Sequence, residues 1–87
     1  MRRDRLLIED IVTAADAVAE FITGHTAETL ASNLLVRSAV VHQLTVIGEA
    51  TARLSPAVKD QHPGIPWTDI KGLRNVVVHN YFGIELG

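Results

Sequence analysis

No cysteine occurs in the chain, which excludes a disulfide framework and any thiolate metal site. No stretch reaches the roughly 18 consecutive apolar residues that suggest a membrane span. The opening Met1-Arg2-Arg3 is followed by Asp4, Glu9 and Asp10, not by the uninterrupted apolar run of a secretion signal. Together these absences predict a cytoplasmic protein with no membrane role. Excess positive charge is missing too: the net charge is -2 and the pI about 6.0, unlike a nucleic-acid binder of the basic-patch kind. Net charge alone argues only weakly against a nucleic-acid partner, and it leaves phosphodiester chemistry open. An enzyme acting on one phosphodiester needs a single local cationic site, and a cleft between two subunits supplies one while the remaining surface stays acidic. No internal repeat, low-complexity run or linker interrupts the 87 residues, so residues 1–87 are expected to form one domain.

Hydrophobic residues, by contrast, are plentiful, at 47% of the chain, with charged residues at 21%. A domain this small buries only about 60–65% of the surface exposed by its unfolded chain. Monomer stability is therefore expected to be marginal, with part of the apolar surplus closing against a partner or a second copy.

The hydrophobic period is helical throughout. Over residues 4–23, Leu7, Ile11, Ala14, Ala15, Val18, Phe21 and Ile22 share one face, with Asp4 as expected N-cap and Gly24 as left-handed C-cap. Thr26 reopens helical structure with Glu28 in its first turn, and Ser32-Asn33 offers a second start or a break. A long helix then runs from Leu34 to Leu54, its stripe of Val36, Val40, Leu44, Ile47 and Leu54 widened by Leu35, Val41 and Val46. So broad a stripe predicts burial on more than one side. Ser55-Pro56 reads as N-cap and first helical position, and Pro63-Gly64 must end the short helix that follows. Pro66 suits the start of a last helix that turns Ile70, Leu73, Val77 and Val76 inward. The run Val76-Val77-Val78 favours a strand on propensity, but a lone strand could not satisfy its backbone groups, so helix is the prediction. Gly48 and Gly72 fall inside helical patterns, where glycine costs about 1 kcal/mol relative to alanine. Close helix approach is the reason expected for both.

Polar residues of chemical interest gather in this last segment. On an ideal helix, with Arg74 at 0°, Asn75 falls at about 100°, His79 at about 140° and Tyr81 at about -20°. Asn75 and His79 share one face; Arg74 and Tyr81 share the next. An arc of about 160° is too wide for one flat site, but it suits a helix lying along a cleft shared by two subunits. A histidine can take a proton from a ribose 2'-hydroxyl or give one to a leaving 5'-oxygen. An arginine presents a fixed cationic fork to phosphate oxygens. Asn75 could orient the imidazole or bind phosphate. The spacing alone equally fits a surface ion-pair arginine and a half-buried packing histidine. His25, His42 and His62 are scattered without ligand-like partners, so no metal is expected. Trp67 reads as a core anchor. Glu49 and Arg53 are spaced as an i, i+4 ion pair, with a wall of an active site as the alternative for them.

Arg74-x4-His79-x-Tyr81 resembles the R-x4-H-x-Y motif of the HepT-like branch of the HEPN superfamily. Similar stretches elsewhere in the chain are Ile47-Gly48-Glu49-Ala50, Arg53-Leu54-Ser55-Pro56, His62-Pro63-x-Ile65-Pro66-Trp67 and His79-x-Tyr81-Phe82-Gly83. The resemblance thus spans essentially the whole sequence. It implies an all-α, up-and-down helical bundle that forms a homodimer. It also implies a metal-independent endoribonuclease without cofactor, the toxin of a prokaryotic toxin-antitoxin pair whose substrate is RNA. The cognate antitoxin would be an MntA-like nucleotidyltransferase that transfers AMP to Tyr81. Arg74 and His79 would be the catalytic pair and Asn75 a supporting residue. A non-catalytic module that binds nucleotide or a nucleotidyltransferase partner is the alternative. Two departures stand out. Many relatives carry aspartate where this chain has Asn75, and family members usually continue into a further helix beyond Tyr-Phe-Gly. An exposed apolar groove is expected where that helix would pack.

Overall fold

A lone amphipathic helix cannot bury its apolar stripe, and the fold meets this need by pairing the two longest helices. The computed structural model describes residues 2–80 and 82. Helix α1 spans Arg2–Ile22 and α3 spans Leu34–Arg53, with the short α2, Ala27–Ser32, between them. Three short helices follow: α4 (Pro56–Gln61), α5 (Trp67–Lys71) and α6 (Leu73–Asn80). The protein is thus a helical bundle, with no strand among the described residues.

Gly24 takes φ +81°, the left-handed conformation required to stop α1. Thr26 then forms a capping box with Thr29: its hydroxyl accepts from the Thr29 backbone N–H at 3.1 Å, and the Thr29 hydroxyl accepts from the Thr26 N–H at 2.8 Å. Asn33 both ends α2 and starts α3, accepting from the Val36 N–H at 3.1 Å. The chain therefore reverses within about ten residues and α3 runs antiparallel to α1.

The stripe of α3 meets helices on several sides, as its breadth predicts. Val40, Leu44 and Ile47 are buried with Ala14 of α1 and Phe82 beyond α6. Ala50 and Leu54 are buried with Leu7 at the other end, where Trp67 packs against them. Leu35 is the exception: it is 81% exposed, although Val36 beside it in the same turn packs against the core. Thr51, which hydropathy does not single out, is 1% exposed; its hydroxyl donates to the Ile47 carbonyl at 2.7 Å and so enters the core without an orphaned polar atom.

Asp4 does not cap α1. It lies inside that helix, 4% exposed, and its carboxylate accepts from the Ser55 backbone N–H at 2.9 Å and from the Ser55 hydroxyl at 2.7 Å. Ser55 is itself the N-cap of α4, with Pro56 in the first turn. One acid thus ties the start of α1 to the α3–α4 junction, 51 residues away in sequence. The Ser55 backbone and hydroxyl donors hold the Asp4 carboxyl below its ordinary range, against the opposing effect of burial.

An open apolar groove of about 400 Å³ runs between α1, α2, α3 and α6, with Val18, Ile22, Leu30, Val40, Val77 and Phe82 along it. No helix among the described residues is long and apolar enough to cross a membrane.

Candidate active site

The last periodic segment is two helices, not one. α5 stops at Gly72, whose N–H donates to the Thr68 carbonyl at 3.1 Å, and α6 restarts at once as the Asn75 and Val76 N–H groups donate to the Gly72 carbonyl at 3.1 and 3.3 Å. Gly72 is a helix stop with φ -92°, and a methyl group added there would meet nothing nearer than 3.7 Å. Close helix approach explains only Gly48. A methyl group at Gly48 would stand 2.9 Å from the Lys71 carbonyl oxygen, so α5 rests directly on the backbone of α3. Trp67 fixes the other end of α5. It is half-buried rather than a fully buried anchor, and its indole N–H is shared between the carbonyls of His62, at 3.1 Å, and Lys59, at 3.3 Å.

The valine run is helical, and its phase differs from the expected one. Val78 is 2% exposed and Val77 half-buried, whereas Val76 points outward at 49% exposure. Phe82, buried beyond the helix, donates its backbone N–H to the Val77 carbonyl at 3.3 Å. This phase distributes the polar residues. Arg74, one turn before Val78, is half-buried, while Asn75 and His79 are exposed.

Arg74 and Asn75 line an open cleft of about 270 Å³ between α3 and the α5–α6 corner. Lys71 forms its rim on the same side. Leu44, Thr45, Gly48, Glu49 and Ala52 of α3 make the opposite wall. The Arg74 Nη1 donates to Asn75 Oδ1 at 3.1 Å, which restrains the guanidinium in the cleft. Asn75 therefore contacts the arginine, and no bond to the imidazole is seen. His79 is not among the cleft-lining residues. It lies in the last turn of α6. Tyr81 lies outside the described residues.

Glu49 is part of the cleft wall, the alternative that spacing had left open for it. It makes no ion pair with Arg53; among the described residues the pair within 4.0 Å is Arg5–Glu9, at 3.4 Å. Lys71 is a cleft residue that sequence reasoning missed. Its signal was there, a cation three residues before Arg74 and facing a helix glycine, but the Gly72 break hid the juxtaposition. No cluster of three or more potential metal ligands occurs among the described residues.

The cleft brings together two cations, Lys71 and Arg74, with one carboxylate, Glu49, an amide and a threonine hydroxyl around an apolar floor, a set that leaves a net positive charge for anion recognition. The sequence model of the ribonuclease HepT-like family matches residues 11–87. The chain belongs to that family. A protein of Methanocaldococcus jannaschii named "Putative RNase" is 34% identical over 85 residues, covering 97% of this chain and 78% of the relative. A protein of Caldanaerobacter subterraneus with the same designation is 30% identical over 85 residues, covering 98% of this chain and 76% of its own. A "Probable ribonuclease HepT" of Thermococcus cleftensis is 32% identical over 79 residues, covering 91% and 72%. No solved structure matches the chain.

Proposed function

We propose that this HepT-like chain is a metal-independent endoribonuclease toxin in which Arg74 binds the scissile phosphate and His79 transfers protons. The observation that carries the reading is the half-buried Arg74, tethered by Asn75 at the edge of an open cleft, five residues before an exposed histidine on the same helix. In the reaction the ribose 2'-oxygen attacks phosphorus and its proton passes to a base. The 5'-oxygen leaves with a proton from an acid, producing a 2',3'-cyclic phosphate and a 5'-hydroxyl. An imidazole serves either role. Arg74 neutralises the extra charge on the phosphoryl oxygens in the transition state. Asn75 acts through Arg74 and is a positioning residue.

Two features support a site shared by two copies. His79 and Val76 both sit on the outward side of α6, and Val76, at 49% exposure, is an apolar side chain open to contact with a second copy. A second copy that covers Val76 also brings His79 into the interface, beside a second Arg74-bearing helix. The homodimer then offers two imidazoles, one for each proton transfer.

Regulation follows from the motif. A nucleotidyltransferase antitoxin of the MntA kind would join the Tyr81 hydroxyl to the α-phosphorus of ATP with release of pyrophosphate. By motif spacing on an ideal helix, the AMP group would add negative charge and bulk on the face that carries Arg74. One observation favours a second reading, a phosphate-binding module that cuts nothing: a single chain does not place His79 in the Arg74 cleft. Purified protein incubated with total RNA separates the two. Cleavage that is lost in His79→Ala, with circular dichroism unchanged, supports the nuclease; cleavage that persists in His79→Ala refutes the assignment of His79.

A further inference from the structure

Arg2, Arg3 and Arg53 line a second concavity, an open groove of about 520 Å³ with Leu6 and Leu7 along it. All three arginines are exposed, and among the described residues none has a carboxylate partner within 4.0 Å. The nearest acid in sequence, Asp4, is buried with both oxygens engaged by Ser55; the Arg3 charge acts on its carboxyl without an ion pair within 4.0 Å. Arg2 and Arg3 also occupy the first turn of α1, where the helix dipole disfavours cations. Local rules are broken in this way at functional surfaces, with compensation supplied from elsewhere.

The groove adjoins the Arg74 cleft. Glu49 and Ala52 line the cleft and Arg53 lines the groove, so the last turns of α3 separate the two concavities. Five of the chain's eight lysines and arginines (Arg2, Arg3, Arg53, Lys71 and Arg74) therefore line two neighbouring hollows in a protein of net charge -2. Glu49, in the cleft wall, is the carboxylate among the residues lining these two hollows, and the acidic residues of α1 lie further along that helix, at Glu9, Asp10, Asp16 and Glu20. Charge so polarised orients a polyanion across one end of the bundle.

We propose that the Arg2–Arg3–Arg53 groove binds the phosphate backbone of single-stranded RNA running to or from the Arg74 cleft. The proposal rests on the ribonuclease reading and adds a surface beside the Arg74 cleft that contains none of the proposed catalytic residues. Guanidinium forks match phosphate oxygens, and the half-exposed Leu6 offers an apolar surface to a ribose or base face.

The test is the salt dependence of binding, measured by fluorescence anisotropy with a short labelled single-stranded RNA. His79→Ala protein serves as the parent so that the probe is not cut. Each phosphate contact to a single strand adds about 0.7 to the slope of log affinity against log salt. Adding Arg2→Gln, Arg3→Gln and Arg53→Gln is expected to lower the slope by about 2, for three lost contacts. The corresponding lysine variants should retain it, and Lys59→Gln, outside the groove, should leave it unchanged. Thermal unfolding checks the fold, and its midpoint should hold or rise once two cations leave the dipole's positive end. An unchanged slope in the triple glutamine variant overturns the proposal, as does selective loss of binding to phosphatidylglycerol vesicles in place of RNA. If wild-type protein cuts RNA while that slope is unchanged, the groove is refuted and the nuclease stands. If it neither binds nor cuts RNA, both fall.

Discussion

Replacing Gly48 by alanine sets two effects of similar size against each other, and the structure decides between them. In an unobstructed helix the substitution gains about 0.8–1 kcal/mol from backbone entropy and propensity. At Gly48 the new methyl group would stand 2.9 Å from the Lys71 carbonyl oxygen, a backbone atom at the end of α5 that no rotamer change can move. Overpacking of this kind costs about 1–3 kcal/mol. The net expectation is a loss of up to about 2 kcal/mol, and a loss of 1 kcal/mol lowers the melting midpoint of a domain this size by about 4–8 °C. Gly72→Ala is the control one residue beyond the contact. Its φ of -92° is open to any L-residue and its nearest neighbour would be 3.7 Å away, so a gain of about 0.4–1 kcal/mol is expected there. Urea unfolding followed by circular dichroism, at equal protein concentration, should therefore order the proteins Gly72→Ala, wild type, Gly48→Ala. A Gly48→Ala variant about 1 kcal/mol more stable than wild type would show only the propensity gain. That result would refute the close packing of α5 on α3.

Two further substitutions test other parts of the structure. Val78→Ala removes two methyl groups from a side chain 2% exposed and should cost about 1.5–3 kcal/mol, against less than about 0.5 kcal/mol for the outward Val76→Ala. Urea midpoints at a dilution where the chain is monomeric check this, and the reverse order would refute the phase of α6. Asp4 has a folded-state pKa below its unfolded value, so its contribution is present above the unfolded pKa and lost as the pH falls through the folded one. Acid titration of stability should show wild type and Asp4→Asn converging at low pH and separating above it; parallel curves would mean that the bonds to Ser55 do not set that titration.

The elements that sequence made legible are those whose cause is local. Gly24, Thr26, Asn33 and Ser55-Pro56 punctuate the chain by their own backbone and hydrogen-bonding preferences, and each appears in its expected role. The breadth of the α3 stripe likewise predicted a helix covered on several sides. Asp4 shows where local reasoning stops. An acid at the start of a helix is a good N-cap candidate, but here its partner is Ser55, brought close only when α1 and α3 lie antiparallel. Glu49 and Arg53 failed in a related way: i, i+4 spacing permits an ion pair without requiring one, and here the two residues face different hollows.

The candidate site was half legible for a reason that lies in the phase of α6. Sequence identified Arg74, Asn75 and His79 and their angles relative to one another, and it turned Ile70, Leu73 and Val77 toward the core against which they pack, but it also turned Val76 inward and passed over Val78. With Val78 inward, Arg74 is only about 40° from the buried direction and His79 about 100° from it. That offset explains why the arginine reaches a cleft walled by α3 while the histidine stays in the open. Val76, about 160° from Val78, marks the outermost line of the same helix. A helix that buries Val78 therefore has to send Arg74 toward its own subunit and His79 toward whatever covers Val76. The separation expected from the motif's spacing thus supports the proposed second copy at this surface, which would bring an imidazole to an Arg74 cleft that lacks one in the single chain.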